Sequence, residues 1–585
     1  MSMYQAPVEE ITFVLETMGG MAEWTSLPGF DEAGEDLVAA VLEEAGKLAS
    51  EIIAPTNKIG DETPPQLIEG NVKTPDAFKP MHQAFVEGGW STLSADPEFD
   101  GQGLPTTLSA AVGEMQMSAN MAYSLLSLLT TGAIEAISAH GSEDIRQKYL
   151  PKMVTTEWSG AMNLTEPGAG SDVGALRAKA DKQADGSYLI AGQKIFITWG
   201  DHDLSENIIH LVLARLPDGP AGTKGISMFI VPKYHVNDDG SLGERNDVKA
   251  VSLEHKLGIH ASPTCVMSFG DEGKCVGYLV GEENKGMANM FTMMNAARLG
   301  VGLQSVAISE RAYQQAVGYA TERVQSAAIG AKTREPVTII HHPDVRRMLM
   351  TMRATTEASR AILYRNLWAQ DRAHKAPDEA ARYQARGEAD LLTPISKAFT
   401  SDISIEVTSM GIQVHGGMGF SEETGAAQHY RDCRILPIYE GTNGIQALDL
   451  VGRKLGADGG AHWNALIKEM QDFTGSMTGA LASEKAILQA GVDAVASAAA
   501  QLVDNGFDAI VDTAAAATPY LRLFGTVLGG YLLAKQAAEA ESRLATNTGD
   551  PAFLRAKIAT ARYLSNNWFH PPHHCWGPLK QGLTA

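Results

Sequence analysis

Apolar residues recur at three- and four-residue steps through Leu37, Val41, Ala45, Leu48 and Ile52 and stop before Pro55. That spacing predicts an amphipathic helix with one apolar stripe. Helical spacing dominates as far as about Pro151. Between about Ser159 and Gly286 the texture changes to short apolar runs, such as 208–214 and 225–231, cut by Gly, Pro and Asp-Gly turns including Asp185-Gly186. These predict strands. Helical spacing returns from Met287 through Leu299, Leu303, Val306 and Ala307, then through Leu349, Met352 and the Ala-rich stretch beyond Pro377. The run Gly456-Ala457-Asp458-Gly459-Gly460 reads as a linker, and an Ala-rich helical composition follows it to about Asn566. The expected order is helical over 1–158, β over 159–286, helical over 287–455 and a separate helical domain over 461–585, an α+β multidomain chain.

Composition narrows the function. A chain of 585 residues exceeds what one core supports, and 44% apolar with 20% charged residues is ordinary for globular proteins. A formal net charge of -22 disfavours nucleic acid and anionic membranes as partners. The opening MSMYQAPVEE has neither a basic nor an apolar leader region, and no run of about 18 uninterrupted apolar residues occurs, so no membrane span and a cytoplasmic location are expected. Cys265, Cys275, Cys433 and Cys575 are far apart with no C-x-x-C, which suggests reduced thiols rather than disulfides or zinc. The segment His570-Pro571-Pro572-His573-His574-Cys575 has zinc-ligand residue types, but its central prolines and the lack of further ligand pairs favour a packed tail, so no metal is expected.

Four segments could carry chemistry. In Leu164-Thr165-Glu166-Pro167-Gly168-Ala169-Gly170-Ser171-Asp172, glycines allow backbone N–H groups to face an anion while Thr165 and Ser171 add donors. Alone it reads more plainly as a Gly-rich turn. It lacks both G-x-G-x-x-G and G-K-[ST], so neither a dinucleotide fold nor a P-loop is supported. Gly192 to Thr198 alternates like a strand, with Phe196 able to wall an aromatic ring and Thr198 able to donate to it; ordinary β-core is the plainer alternative. Gln413-Val414-His415-Gly416-Gly417-Met418-Gly419 lets backbone approach a ligand, or simply ends a helix. In Arg434 to Gln446, Glu440 stands between an apolar run and Gly441; desolvation there raises a carboxylate towards a general base, although most loop carboxylates are merely solvated.

Together, in this order, Thr165-Glu166-Pro167 with Gly170-Ser171-Asp172, then Phe196-Ile197-Thr198, then Tyr430-Arg431-Asp432 followed by Ile438-Tyr439-Glu440-Gly441-Thr442 resemble the acyl-CoA dehydrogenase family from near Leu37 to about Leu455. The resemblance implies an N-terminal helical domain, a middle β-barrel-like domain and a C-terminal four-helix bundle, here with an additional C-terminal helical domain. It implies FAD as cofactor, an acyl-CoA substrate and an electron-transfer flavoprotein as acceptor. Glu440 falls on the family's base, which takes the α-proton while a β-hydride passes to the flavin. The family's other base position, preceding Arg298, is Ala297 here.

By the same resemblance Met162, Leu164, Thr165, Gly170, Ser171, Phe196 and Thr198 hold the flavin, with Thr442. Arg323, Gln413, Gly416 and Gly417 match residues that reach the cofactor of a neighbouring subunit, implying a homo-oligomer, dimer or tetramer. Ser171, Asn295, Arg298 and Gly441 match substrate contacts, although Asn295 replaces the usual acidic residue. Phe196 stands where many relatives have Trp, and His342 near a family glutamine. The domain after Ala461 and the Met3-to-Phe13 opening resemble the long-form subgroup that includes 3-methylthiopropanoyl-CoA dehydrogenases. Ordinary short- or medium-chain acyl-CoA is the alternative substrate, an oxidase the alternative chemistry, and a flavin-free scaffold the alternative of another class.

Overall fold

A computed structural model describes residues 4–505 and 509–568, so the His570–Cys575 segment lies outside the described residues. The first predicted helix forms as Glu35–Lys47 and runs into a π-turn at Leu48–Ile53. Its buried side overlaps the predicted stripe only in part. Ala45 and Leu48 are buried as expected, but Leu37 and Ile52 are 38% and 42% exposed, and Val38, Leu42, Ala49 and Ile53 are buried beside them. Two apolar stripes run side by side in this segment, and periodicity alone does not decide which one meets a neighbour.

The chain divides into two compact units, each assembled from separated stretches: 47–104 with 119–300, and 1–46 with 105–118 and 301–585. In the first unit an eight-stranded sheet has the order Val248–Leu253, Thr264–Phe269, Tyr188–Thr198, Val276–Leu279, Ile226–Pro232, Asn207–Arg215, Trp158–Asn163, with Lys179–Lys182 also paired to Tyr188–Thr198. Its neighbours are antiparallel except where Asn207–Arg215 runs parallel to Trp158–Asn163 and, at Lys179 and Arg215, to Lys179–Lys182. The Asp185-Gly186 hairpin forms between Lys179–Lys182 and Tyr188–Thr198, with Gly186 at φ +87.

The helix Met121–His140 packs Ala133, Ala136 and Ile137 with Trp158, Ile209, Leu211 and Leu213, while Ile208, Val212 and Ala214 join a second cluster with Tyr188, Phe229 and Val231. Burial on both faces explains why 208–214 reads as a continuous apolar run rather than an alternating one. Gly160 is needed for that helix contact, because a Cβ there meets the Ala133 Cβ at 2.5 Å. Although no uninterrupted apolar run of bilayer length occurs, Met121–His140 and Gly479–Asp504 are long and apolar enough to cross a membrane by length and composition, and 67% of the first is buried in this core.

The second unit is helical. Its long elements include Pro343–Lys375 and Glu379–His415, and the Ala-rich helices after 461 belong to the same unit instead of standing apart. The Gly-rich run before them is a tight turn, Ala457–Gly460, with Asp458 and Gly459 in left-handed conformations. Docking is close: a Cβ on Gly525, in the helix Ile510–Thr546, meets the Phe399 ring at 2.4 Å, and one on Gly529 meets the Ala358 Cβ at 3.0 Å. Arg365 grips Glu469 with two hydrogen bonds of 3.1 and 2.6 Å, and the Tyr531 hydroxyl donates to the same carboxylate at 2.6 Å.

A buried charge network ties this unit together. Arg360 is fully buried and pairs with Glu114 at 2.8 Å, Glu310 at 2.9 Å and Glu10 at 3.8 Å. Lys557, from Pro551–Trp568, pairs with Glu10 and Glu357 at 2.8 Å each, and Arg353 with Glu357 at 2.6 Å. Beside it Phe13 packs edge-on to Phe553 and against Ala540 and Leu554. The N-terminal opening and the C-terminal domain are thus one packed feature.

In direct contact, Arg353, Arg360 and Lys557 face Glu10, Glu114, Glu310 and Glu357, one carboxylate more than there are cations. Burial, reinforced by the Glu357 charge, pushes Glu10 up to about 7. Because the folded state then binds more protons than the unfolded chain between the ordinary carboxylate range and pH 7, this group's contribution to stability is present at low pH and lost as pH rises through 7. Urea denaturation from pH 5 to 8 is expected to show that decline, and Glu10→Gln to flatten it. Lys557→Met leaves two buried carboxylates undercompensated and is expected to cost about 3–5 kcal/mol in the same measurement.

Candidate active site

The strand Trp158–Asn163 feeds the loop 164–172. Glu166 and Ala169 exchange backbone hydrogen bonds of 3.1 and 3.0 Å, and Thr165 offers its carbonyl to the Ile195 N–H at 2.9 Å. The Glu166 side chain turns inward. It accepts from the Lys194 ammonium at 2.8 Å and from the Arg177 and Ala178 N–H groups at 2.6 and 2.9 Å; Lys194 also donates to the Leu164 carbonyl at 3.0 Å. Burial pushes the Glu166 carboxyl upward, but Lys194 and the two backbone donors more than reverse that and hold it below its ordinary range. Burial lowers Lys194 to about 8 against the pull of Glu166.

The loop's glycines do not serve as expected for backbone freedom. Gly168 and Gly170 are not in positive-φ conformations, and a Cβ on either meets nothing within 4 Å. The open space leaves room for a molecule to lie close against the backbone. Among the described residues, the side-chain hydroxyls of Thr165, Ser171 and Thr198 have no hydrogen-bond partner. Donors left open beside an uncrowded backbone fit a large ligand carrying acceptor atoms.

Strict alternation fails in Tyr188–Thr198. The pairing with Thr264–Phe269 shifts register between Cys265–Ile197 and Met267–Lys194, a bulge. Phe196 within it has φ +59 and is 59% exposed, while Lys194 is buried. The bulge re-aims both side chains. Met162 is half-buried and Leu164 buried. On the helix Gly286–Glu322, Arg298 is buried and donates to the Asn295 Oδ1 at 3.4 Å; Ala297 is buried.

In the helical unit, Ala426–Cys433 leads through a turn to the helix Asn443–Asp449, whose N-cap is Thr442, accepting from the Ile445 N–H at 3.4 Å. Glu440 is half-buried, at φ +54, and Gly441 follows at φ +82. A non-glycine in this region is strained and persists only where its surroundings hold it. Asn443 does much of that holding. Its Nδ2 donates to the Ala398 carbonyl at 3.1 Å, Ser401 Oγ at 3.0 Å and Asp402 Oδ1 at 2.8 Å, and its Oδ1 accepts from the buried Lys397 ammonium at 2.8 Å. The Gln446 Nε2 donates to the Glu440 carbonyl at 3.2 Å, and the Tyr439 hydroxyl donates to Gln304 Oε1.

Tyr319 stacks on His415 with ring centroids 4.4 Å apart, which brings together the ends of the helices Gly286–Glu322 and Glu379–His415. Arg323 and Gln413 are both exposed there, and Gly416 and Gly417 have open space where a Cβ would be. Phe420 is 87% exposed just beyond. His342 contacts the Gln325 carbonyl at 2.7 Å. Cys265, Cys275 and Cys433 are free and buried, and burial raises each thiol to about 12.

Lys194, Asn443, Gln304 and Gln446 were not singled out by sequence reasoning. Lys194 sits in the quoted strand, and a charged residue in a β-run was the available signal. Lys194→Met removes the partner of a buried carboxylate and is expected to destabilise the protein by about 3–5 kcal/mol. Calorimetry and bound-flavin absorbance check it, with cofactor content expected to fall alongside the melting temperature.

Four family models match the chain: the acyl-CoA dehydrogenase N-terminal domain at 41–157, its middle domain at 161–271, its C-terminal domain at 284–455, and an acetyl-CoA dehydrogenase C-terminal like domain at 466–570. A 3-methylmercaptopropionyl-CoA dehydrogenase of Ruegeria pomeroyi is 46% identical over 95% of each chain. A butyryl-CoA dehydrogenase of Syntrophomonas wolfei is 36% identical over 96% of this chain and 95% of its own. Among solved structures, an acyl-CoA dehydrogenase complexed with FAD from Bacillus anthracis shares the fold at a TM-score of 0.74 and 22% identity, covering 94% of this chain and 88% of that one.

Proposed function

The chain belongs to the acyl-CoA dehydrogenase family, and on that premise we propose that Glu440 takes the α-proton of 3-(methylthio)propanoyl-CoA. The protein is an FAD-dependent oxidoreductase that introduces the α,β double bond of an enoyl-CoA. FAD, when bound, supplies the hydride acceptor. Residues suited to hold it are Met162, Leu164, Thr165, Gly170, Ser171, Phe196 and Thr198, with open hydroxyls and an exposed ring among them, together with Thr442, whose oxygen caps a helix while its proton remains to be given. Ser171, Asn295, Arg298 and Gly441 are assigned to the CoA thioester.

One observation carries the base assignment: Glu440 is a carboxylate held at φ +54 in a multiply anchored turn, while the alternative position is the buried methyl of Ala297. A general base needs its carboxylate fixed within reach of the proton it accepts, and anchoring limits the search for that geometry. The methylthio substrate is supported by the 46% identity over 95% of each chain to the Ruegeria pomeroyi protein. The butyryl-CoA relative at 36% identity supports a second reading, a short straight-chain substrate.

Arg323, Gln413, Gly416 and Gly417 are assigned to the cofactor of a neighbouring subunit. The exposed Met418 and Phe420 beside them support a homo-oligomer, dimer or tetramer, which light scattering would size. The same reading places the enzyme in the cytoplasm, passing electrons to an electron-transfer flavoprotein. Rapid stoichiometric peroxide during turnover would instead identify an oxidase.

Glu440→Gln is expected to keep bound FAD and the melting temperature while turnover drops by about 10²-fold or more, because the amide fills the space but cannot accept a proton. Wild-type turnover in that variant would refute the assignment. Anaerobic flavin bleaching with 3-(methylthio)propanoyl-, butanoyl- and longer acyl-CoAs is expected to be fastest with the first; a faster butanoyl rate favours the second reading.

A further inference from the structure

Two glutamines flank Glu440, and the reaction described so far uses neither. Gln446 is fully buried; its Nε2 donates to the Glu440 carbonyl at 3.2 Å, and its Oε1 has no partner among the described residues. Gln304 is fully buried on the helix Gly286–Glu322. Its Oε1 accepts from the Tyr439 hydroxyl, and its Nε2 has no partner among the described residues. Each therefore joins one end of its amide to the Tyr439-Glu440 dipeptide and leaves the other end buried and unsatisfied.

Such an arrangement costs stability. An unsatisfied buried amide is worse for the fold than a methionine of similar volume, and the left-handed backbone at Glu440 adds strain. The contrast with Asn443 is informative, since both ends of that amide are bonded. Three unfavourable features thus fall on one dipeptide, beside an anchor that is fully satisfied. Packing alone gives no reason to keep glutamine at 304 or 446.

We infer that Gln446 and Gln304 are positioning residues that fix the Tyr439-Glu440 dipeptide from its carbonyl and from the preceding side chain, so that the Glu440 carboxylate stays aimed at the α-carbon. Neither residue takes part in proton transfer. Without the Gln446 hydrogen bond the strained backbone can relax towards ordinary φ, and the carboxylate moves with it. Misplacement of a reacting group by an ångström is enough to slow a reaction substantially. The inference rests on Glu440 being the base.

The test uses purified holoenzyme with Gln446→Met and Gln304→Met, each compared with wild type and Glu440→Gln. Expected is a fall in kcat of about 10-fold or more with KM within about three-fold. FAD content should be unchanged and the melting temperature close to that of wild type, because loss of the unsatisfied amide end offsets the partner lost by the Glu440 carbonyl or the Tyr439 hydroxyl. A purely structural role predicts the reverse, in which melting temperature and FAD content fall together with kcat. The inference is overturned by a kcat within about two-fold of wild type in both variants, by losses that track FAD or melting temperature, or by failure of both variants to yield holoenzyme. Wild-type activity in Glu440→Gln would instead overturn the base assignment, whatever the glutamine variants do.

Discussion

Arg360 has no exposed surface, and the helical unit is arranged around its charge. Glu114, Glu310 and Glu10 reach it from three different helices, and Lys557 with Arg353 closes the circuit through Glu357. Buried ions of this kind contribute little net stability compared with an apolar core, yet each becomes expensive when a partner is missing. The constraint is therefore one of mutual dependence. The N-terminal helix Val8–Thr17 and the C-terminal helix Pro551–Trp568 each bring a group that the other needs. That dependence accounts for two extensions at opposite ends of the chain packing as one feature.

A similar logic operates on a smaller scale at the site. The loop 164–172 is braced by Glu166 and Lys194, a buried pair whose remaining hydrogen-bonding capacity goes to backbone groups of the same loop and its exit. With the loop held from beneath, the hydroxyls of Thr165 and Ser171 need not contribute to folding. The Glu440 turn is held differently, by the bonds of Asn443 to the helix Glu379–His415 and by glutamines on either side. The loop is held by paired charges, whereas the Glu440 turn is held although its backbone is strained. Donors kept free and a carboxylate kept in an unfavourable conformation are both features that a fold selected for stability alone would remove.

Much of this was readable from residue order. Helix and strand texture divided the chain in the right sequence, the continuous run 208–214 became a strand buried on both faces, and Asp185-Gly186 became the hairpin between Lys179–Lys182 and Tyr188–Thr198. Period 3.6 and period 2 are local properties, so they survive without knowledge of neighbours. The stripe predicted through Glu35–Lys47 was only partly right, because choosing between adjacent stripes depends on what packs against them. Alternation puts Lys194 and Phe196 on one face, yet Lys194 is buried and Phe196 exposed, because a bulge inserts a residue that alternation cannot anticipate.

The sequence by itself determined the element types and the motif order, since these depend on residue chemistry and short-range spacing; Glu440 stood out as the candidate base only through the family resemblance that the motif order carries. Tertiary structure alone decided which charges are buried together, that Asn443 ties the base turn to residues 41 to 46 positions away, and that Glu440 adopts φ +54. Those outcomes depend on contacts between residues far apart in the chain, and on whether water is excluded around them. Neither quantity is encoded in any window short enough to read as a motif.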